Sequence, residues 1–192
     1  MSQQPIAVRV ARAEDAAVIA AIYAPIVRDT AISFETEPPN GEEMARRIAS
    51  TLATHPWLVA EDADGQVLGY AYASKHQERG AYRWSVNVSA YLAQAARGQG
   101  LGRRLYGVML PLLRRQGFRR AFAGIALPNA ASVGLHEAMG FEAMAVYPDV
   151  GFKLGAWRDV GWWSLALSQD DEPPAEPVLF PVLARDLPGR LG

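Results

Sequence analysis

The stretch "WSVNVSAYLAQAARGQGLGRRLY", residues 84–106, decides how this chain folds. From Trp84 to Leu92 its apolar and polar residues alternate as in a strand. From Leu101 to Arg115 the residues Leu101, Leu105, Val108, Met109 and Leu112 lie on one helical stripe. Between the two stands Arg97-Gly98-Gln99-Gly100-Leu101-Gly102. Glycines there let the backbone approach a ligand, successive N–H groups point outward, and the helix offers its positive end to an anion. The loop lacks the lysine-serine or lysine-threonine pair of a Walker loop. Its third glycine sits one place early for a dinucleotide turn, with no βαβ unit before it. Two readings stand at this point: a pyrophosphate cradle to which Arg97 adds charge, and a tight strand-to-helix connection.

Working outward, Ile6 to Val10 reads as a strand, and Asp15 is placed to cap a helix carrying Ile19, Ile22 and Tyr23, which Pro25 is expected to end or bend. Residues Glu42 to Leu52 form a second helical stripe. "WLVAEDADGQVLGYAYAS" predicts two antiparallel strands around Asp64-Gly65, both residues tolerant of positive φ. Beyond the long helix, Gly117 suits its C-terminal cap. "RAFAGIAL" is a buried strand, "NAASVGLHEAMG" a short helix capped by Asn129 and stopped by Gly140, and further strands lie within Phe141 to Val150 and Asp159 to Leu167. The order is a mixed α/β plan rather than the strict alternation of a doubly wound sheet. Residues 1–168 form the expected domain. From Gln169 the sequence turns acidic and proline-rich and reads as a tail, 169–192, whose "VLFPVL" patch either docks on the domain or a partner or belongs to a disordered extension.

The chain has 192 residues, half of them hydrophobic, enough for one sizeable core. With 19 basic and 20 acidic side chains and a net charge of −1, it lacks the basic footprint of a nucleic-acid binder. The local cluster of arginines beside the glycine loop points to a phosphorylated small molecule. No cysteine and three scattered histidines, His55, His76 and His136, argue against thiol chemistry and against a metal site. No apolar run approaches a membrane span and the N-terminus shows no targeting pattern, so a cytoplasmic protein is expected.

Arg97-x-x-Gly100-x-Gly102 after a strand, followed about thirty residues later by "LPNAASVGLHEAMGFE", resembles the GCN5-related N-acetyltransferase family. The strings "SFETEP", "PWLVAE", "GYAYAS", "AYRW" and "GFKLGAWRDVGWW" are similar to its phosphinothricin and methionine sulfoximine N-acetyltransferases, and the resemblance runs from Ile6 to about Leu167. It implies an acyl-CoA N-acyltransferase fold: a largely antiparallel, twisted sheet flanked by helices and splayed at an acetyl-CoA site. It also implies a small amine or amino-acid acceptor and a homodimer.

By the same resemblance, backbone amides around Ala90, Tyr91 and Leu92 polarise the thioester, and Gly98, Gln99, Gly100, Leu101, Gly102 and Arg103 hold the pyrophosphate with Arg97. Asn129 and Ser132 meet the CoA arm. His136 takes the place of a tyrosine that protonates the departing thiolate. On the acceptor side the resemblance implies Phe34, Arg79, Tyr82 and Ser89, with Lys75, His76 and Gln77 weaker candidates. Where the family carries a glutamate base, this chain has Asn87, an amide that cannot take a proton. Two expectations follow. One is an enzyme acetylating the α-amino group of a glutamate-like analogue, with Glu35 or His136 as base through water. The other is a CoA-binding module with weak or lost catalysis, acting as a sensor or on a different amine. A nicotinamide-dependent oxidoreductase is the third reading of the glycines.

Overall fold

The computed structural model describes residues 6–169 and 174–191. Strands β1 (Ala7–Val10), β2 (Trp57–Glu61), β3 (Val67–Lys75), β4 (Ser85–Leu92), β5 (Arg120–Ala126), β6 (Glu142–Lys153) and β7 (Ala156–Ala166) form one sheet in the order β1-β2-β3-β4-β5-β7-β6. Every neighbouring pair is antiparallel except β4 and β5, which run parallel. Helices α1 (Ala16–Asp29) and α2 (Gly41–Leu52) cover one face, and α3 (Leu101–Arg115) packs on the other. Helix α4 (Ala130–Ala138) follows β5, and a short α5 (Phe180–Ala184) lies in the C-terminal segment.

Strand alternation builds the two cores. Leu58, Ala60, Ala71, Ala73, Val86 and Val88 point toward α3, while Trp57, Val59 and Tyr70 point toward α1 and α2. Helix α2 starts at Asn40, whose Oδ1 accepts the Glu43 N–H at 2.9 Å. Helix α3 ends as the sequence predicts: Gly117 takes φ +87°, Phe118 N–H donates to Leu113 O, and Gly117 N–H donates to Arg114 O.

Several expectations need correction. Pro25 stays inside α1. A helix-interior proline costs about 3 kcal/mol, but Ile22, Tyr23, Ile26 and Val27 around it are all buried, at about 1.5–3 kcal/mol each. The Asp15 side chain does not cap α1; it accepts two hydrogen bonds from buried Arg9, at 2.7 and 2.8 Å, while Arg9 Nε reaches Glu61 at 2.6 Å. The β2–β3 hairpin forms around Asp64-Gly65 as expected, with the positive φ taken by Gly65. The last two strands are longer than their apolar patterns suggest and meet in a tight turn at Leu154-Gly155, both at positive φ.

Among its described residues, the C-terminal segment packs against the domain. Phe180 is 1% exposed within the α3-side core. The buried Gln116 Nε2 donates to both Thr54 O and Val178 O, and Leu191 N–H donates to Val8 O. Beside this contact His55 is buried, hydrogen-bonded to Thr54 Oγ1 at 2.7 Å and stacked on Phe118. Burial, with help from the Lys75 charge, pushes its imidazole down to about 4. The unfolded chain therefore binds a proton that the folded one refuses, and stability drops as pH falls from about 6.5 toward 4. Urea unfolding between pH 7 and pH 5 should show a loss of about 2 kcal/mol that disappears in His55→Gln.

Candidate functional site

The parallel ladder between β4 and β5 holds for three pairs, ending at Asn87↔Phe122, while β4 stays paired to β3 as far as Leu92. Past Asn87 one edge of β4 therefore faces a gap. His76 N–H donates to Ser85 O and Ala93 N–H donates to Leu68 O, so the odd-numbered residues of β4 bond to β3. The amides of Ala90 and Leu92 face the gap. Tyr91 does not fit the expectation for it, because its N–H points into the β3 ladder and its ring packs edge-on to Tyr23 at 4.9 Å.

A cavity of about 540 Å³ fills the gap. Its wall joins Ser89 to Leu92, Arg97, Gly98 and Gly100 to Arg103, Gly124, Asn129, Ser132 and His136. Nearly all the residues singled out in sequence for a cofactor thus meet in one place. Gln99 does not line it; its side chain donates to Ala95 O at 3.0 Å.

The three glycines of the loop have different reasons to be glycine. Gly98 and Gly100 have φ of +75° and +77° with open space where a Cβ would stand. Gly102 has ordinary helical backbone, but a Cβ there would meet Leu135 Cδ2 at 2.7 Å, so it lets α4 approach α3. The amides of Leu101, Gly102 and Arg103 open α3 and have no acceptor among the described residues. These are the donors an anion uses.

Asn129 caps α4 by accepting the Ser132 N–H at 3.1 Å. His136 is on the cavity wall but 4% exposed, and both ring nitrogens are engaged. Nδ1 donates to Ser132 O at 2.8 Å, which leaves Nε2 to accept the Tyr106 hydroxyl at 3.0 Å. Burial pushes the imidazole below its usual range, against the opposing Ser132 carbonyl bond. The ring is held neutral, with no free lone pair.

On the other face, Asn87 and Ser89 lie across the ladder from Ser74 and Tyr72. Phe34 packs on the β6–β7 hairpin, where a Cβ on Gly151 would overlap its ring. Burial raises the Glu35 carboxyl, but hydrogen bonds from Arg47, at 2.8 and 3.0 Å, and from Tyr23 outweigh it and hold the group below the usual carboxylate range. Arg79 lines a separate cavity of about 280 Å³ bounded by Glu176 to Leu179 of the C-terminal segment. Tyr82 shares that cavity and also meets His76 edge-on at 6.0 Å. Sequence reasoning ranked His76 low, and it is the residue that contacts Asn87: Nδ1 lies 2.9 Å from Asn87 Oδ1. Nothing in their spacing, eleven positions apart, announces that pair.

Residues 8–162 match the model of the acetyltransferase (GNAT) domain. The chain is 37% identical over 175 residues to a phosphinothricin N-acetyltransferase of Streptomyces viridochromogenes, covering 91% of this chain and 93% of that protein. It is 45% identical to one from Alcaligenes faecalis, over 79% of this chain and 78% of the relative. Among solved structures it resembles a GNAT phosphinothricin acetyltransferase of Sinorhizobium meliloti in complex with AcCoA, with a TM-score of 0.86 and 35% identity over 91% of this chain and 98% of that one. No helix among the described residues is long and apolar enough to cross a membrane.

The glycine assignments are separable by stability. Gly100→Ala is expected to cost about 1–2 kcal/mol from left-handed backbone alone. Gly102→Ala should act through Leu135 instead, so that combining it with Leu135→Ala recovers part of the loss in urea unfolding.

Proposed function

The chain belongs to the GNAT acetyltransferase family and is an N-acetyltransferase of the phosphinothricin acetyltransferase type, and from that premise we propose that it transfers the acetyl group of acetyl-CoA to the α-amino group of a glutamate-like amino-acid analogue. Phosphinothricin and methionine sulfoximine are the proposed acceptors. The observation that carries the reading is the single cavity joining the glycine loop to the gap-facing amides of β4.

In this reading the CoA pyrophosphate sits on the loop amides from Gly98 to Arg103, with Arg97 and Arg103 balancing its charge. Asn129 and Ser132 border the pantetheine arm. The Ala90 amide donates to the thioester oxygen, where a preorganised donor outside any ladder stabilises the charge that develops. The amine nitrogen attacks the carbonyl carbon within a ternary complex; the C–N bond forms, the C–S bond breaks, and the thiolate leaves. Ser89 on the cavity wall borders the acceptor, with Phe34 on the β6–β7 hairpin and Tyr82 beside His76 set further out. Arg79 stays outside this site, and His136, with both nitrogens engaged, orders α4 rather than supplying a proton. Glu35, ion-paired to Arg47, is likewise set aside as base.

The second reading, a CoA-binding module with weak or lost catalysis, is favoured by one observation, the amide at Asn87. An acetyl-CoA assay following free thiol over phosphinothricin, methionine sulfoximine and common amino acids decides between them. Saturable turnover with a glutamate-like analogue is expected; CoA binding without turnover over the whole panel would leave the second reading.

A homodimer is part of the proposal. Strand β6 ends the sheet as a free edge, and Met144, Val146, Tyr147, Phe152 and Trp157 on the β6–β7 hairpin are each more than half exposed. A long apolar edge of this kind needs a cover, and a second copy supplies one. Light scattering should give twice the chain mass, and Val146→Lys/Phe152→Lys should give the monomer.

A further inference from the structure

An amine substrate arrives near neutral pH almost entirely as its ammonium form. It must lose one proton before it can attack a thioester. The groups near the gap differ in their capacity to take it. Asn87 is an amide. Glu35 is held ionised and weakly basic by Arg47 and Tyr23. His136 has no free lone pair. His55 lies beside the C-terminal segment, bonded to Thr54 and stacked on Phe118.

His76 is different. Asn87 Nδ2 donates to Lys75 O at 3.3 Å, and since a carbonyl only accepts, this sets the amide with Oδ1 toward the ring. Oδ1 is an acceptor too, so the contact at 2.9 Å places the imidazole proton on Nδ1. The neutral ring is then left with its lone pair on Nε2, which has no hydrogen-bond partner among the described residues. The ring is held firmly: stacked on Phe122 at 4.1 Å and 19°, and edge-on to both Tyr82 and Trp162 at 6.0 Å.

Its place is as telling as its tautomer. Asn87 and Phe122 are the last pair before β4 and β5 part. The next residues on the same faces, Ser89 and Gly124, line the cavity, about 7 Å further along each strand. The Trp162 indole overhangs Gly124 on the same corner. We propose that His76 is the general base for the acceptor amine, and that Asn87 is the positioning residue that fixes its tautomer. The inference rests on the acetyl-transfer reading above.

The protons balance. His76 Nε2 takes one proton from the ammonium, directly or through one water, and later returns it to solvent. The neutral nitrogen bonds to the carbonyl carbon as the C–S bond breaks. The second proton leaves that nitrogen for the departing thiolate, giving the N-acetyl product and free CoA thiol. Around the ring, β4 contributes Asn87, β5 Phe122 and β7 Trp162, none of which titrates, and the turn before β4 contributes the Tyr82 phenol. Next to His76 in the chain, Lys75 at the end of β3 pairs with Glu78 at 3.4 Å.

The test compares kcat/KM against pH for wild type, His76→Gln, His76→Gly, Asn87→Leu and the double variant His76→Gln/Asn87→Glu, using acetyl-CoA and the amines of the panel. CoA affinity by calorimetry and thermal midpoints serve as folding controls. His76→Gln should lose about 10²- to 10⁴-fold near neutral pH, with unchanged CoA affinity and a deficit that narrows as pH rises and the amine deprotonates unaided. Added imidazole should rescue His76→Gly, Asn87→Leu should fall short of wild type by less than His76→Gln does, and the carboxylate of the double variant should restore turnover. Turnover of His76→Gln like that of wild type would overturn the proposal. So would a loss that is equal at every pH and unrescued by imidazole or by Asn87→Glu. If wild type itself acetylates nothing in the panel, the acetyl-transfer reading falls and the base falls with it.

Discussion

The parting of β4 from β5 is the constraint on which the rest of this molecule depends. A sheet normally consumes every backbone donor in its interior, and here it withholds a few. The parallel ladder stops after three pairs, while the antiparallel ladder on the other side of β4 continues to Leu92. That asymmetry frees the Ala90 and Leu92 amides without loosening the strand that carries them. It also creates the cavity, because α3 and α4, which follow β4 and β5 in the chain, start on either side of the gap.

The remaining parts keep that opening rigid. Gly98 and Gly100 provide left-handed backbone, so that the loop returns at once into α3 and its first amides face the cavity. Gly102 allows the close contact with Leu135 that brings α4 alongside. His136 then ties α4 to α3 through Tyr106. On the far side of the core, Phe180 and the double hydrogen bond of Gln116 seat the C-terminal segment against the loop before β2. Segment and helix thus close the core from the end opposite the cavity mouth.

Much of the fold was legible because its signals are local. The α3 stripe, the Gly117 stop and the Asn129 cap depend on neighbours within a few residues, and all appear where the sequence puts them. Pro25 does not end α1, because burial that only packing supplies outweighs its local penalty. Asp15 misled for a similar reason: a capping residue type was taken over by an arginine from β1. That the glycine loop and the Asn129 helix would gather at one cavity was equally legible, since both are compact motifs. The acceptor side was not. Arg79 opens on another cavity, and the contact of His76 with Asn87 joins residues eleven positions apart.

The sequence by itself determined the strand-loop-helix that offers amides to an anion, the order of elements and the family, since each rests on residue types at short, fixed spacing. Only the tertiary structure decided which amides of β4 are free, which histidine meets Asn87 where β4 and β5 part, and where the C-terminal segment rests. Ladder register, tautomer and docking are set by partners tens of positions away, and a linear pattern carries no record of which of them will meet.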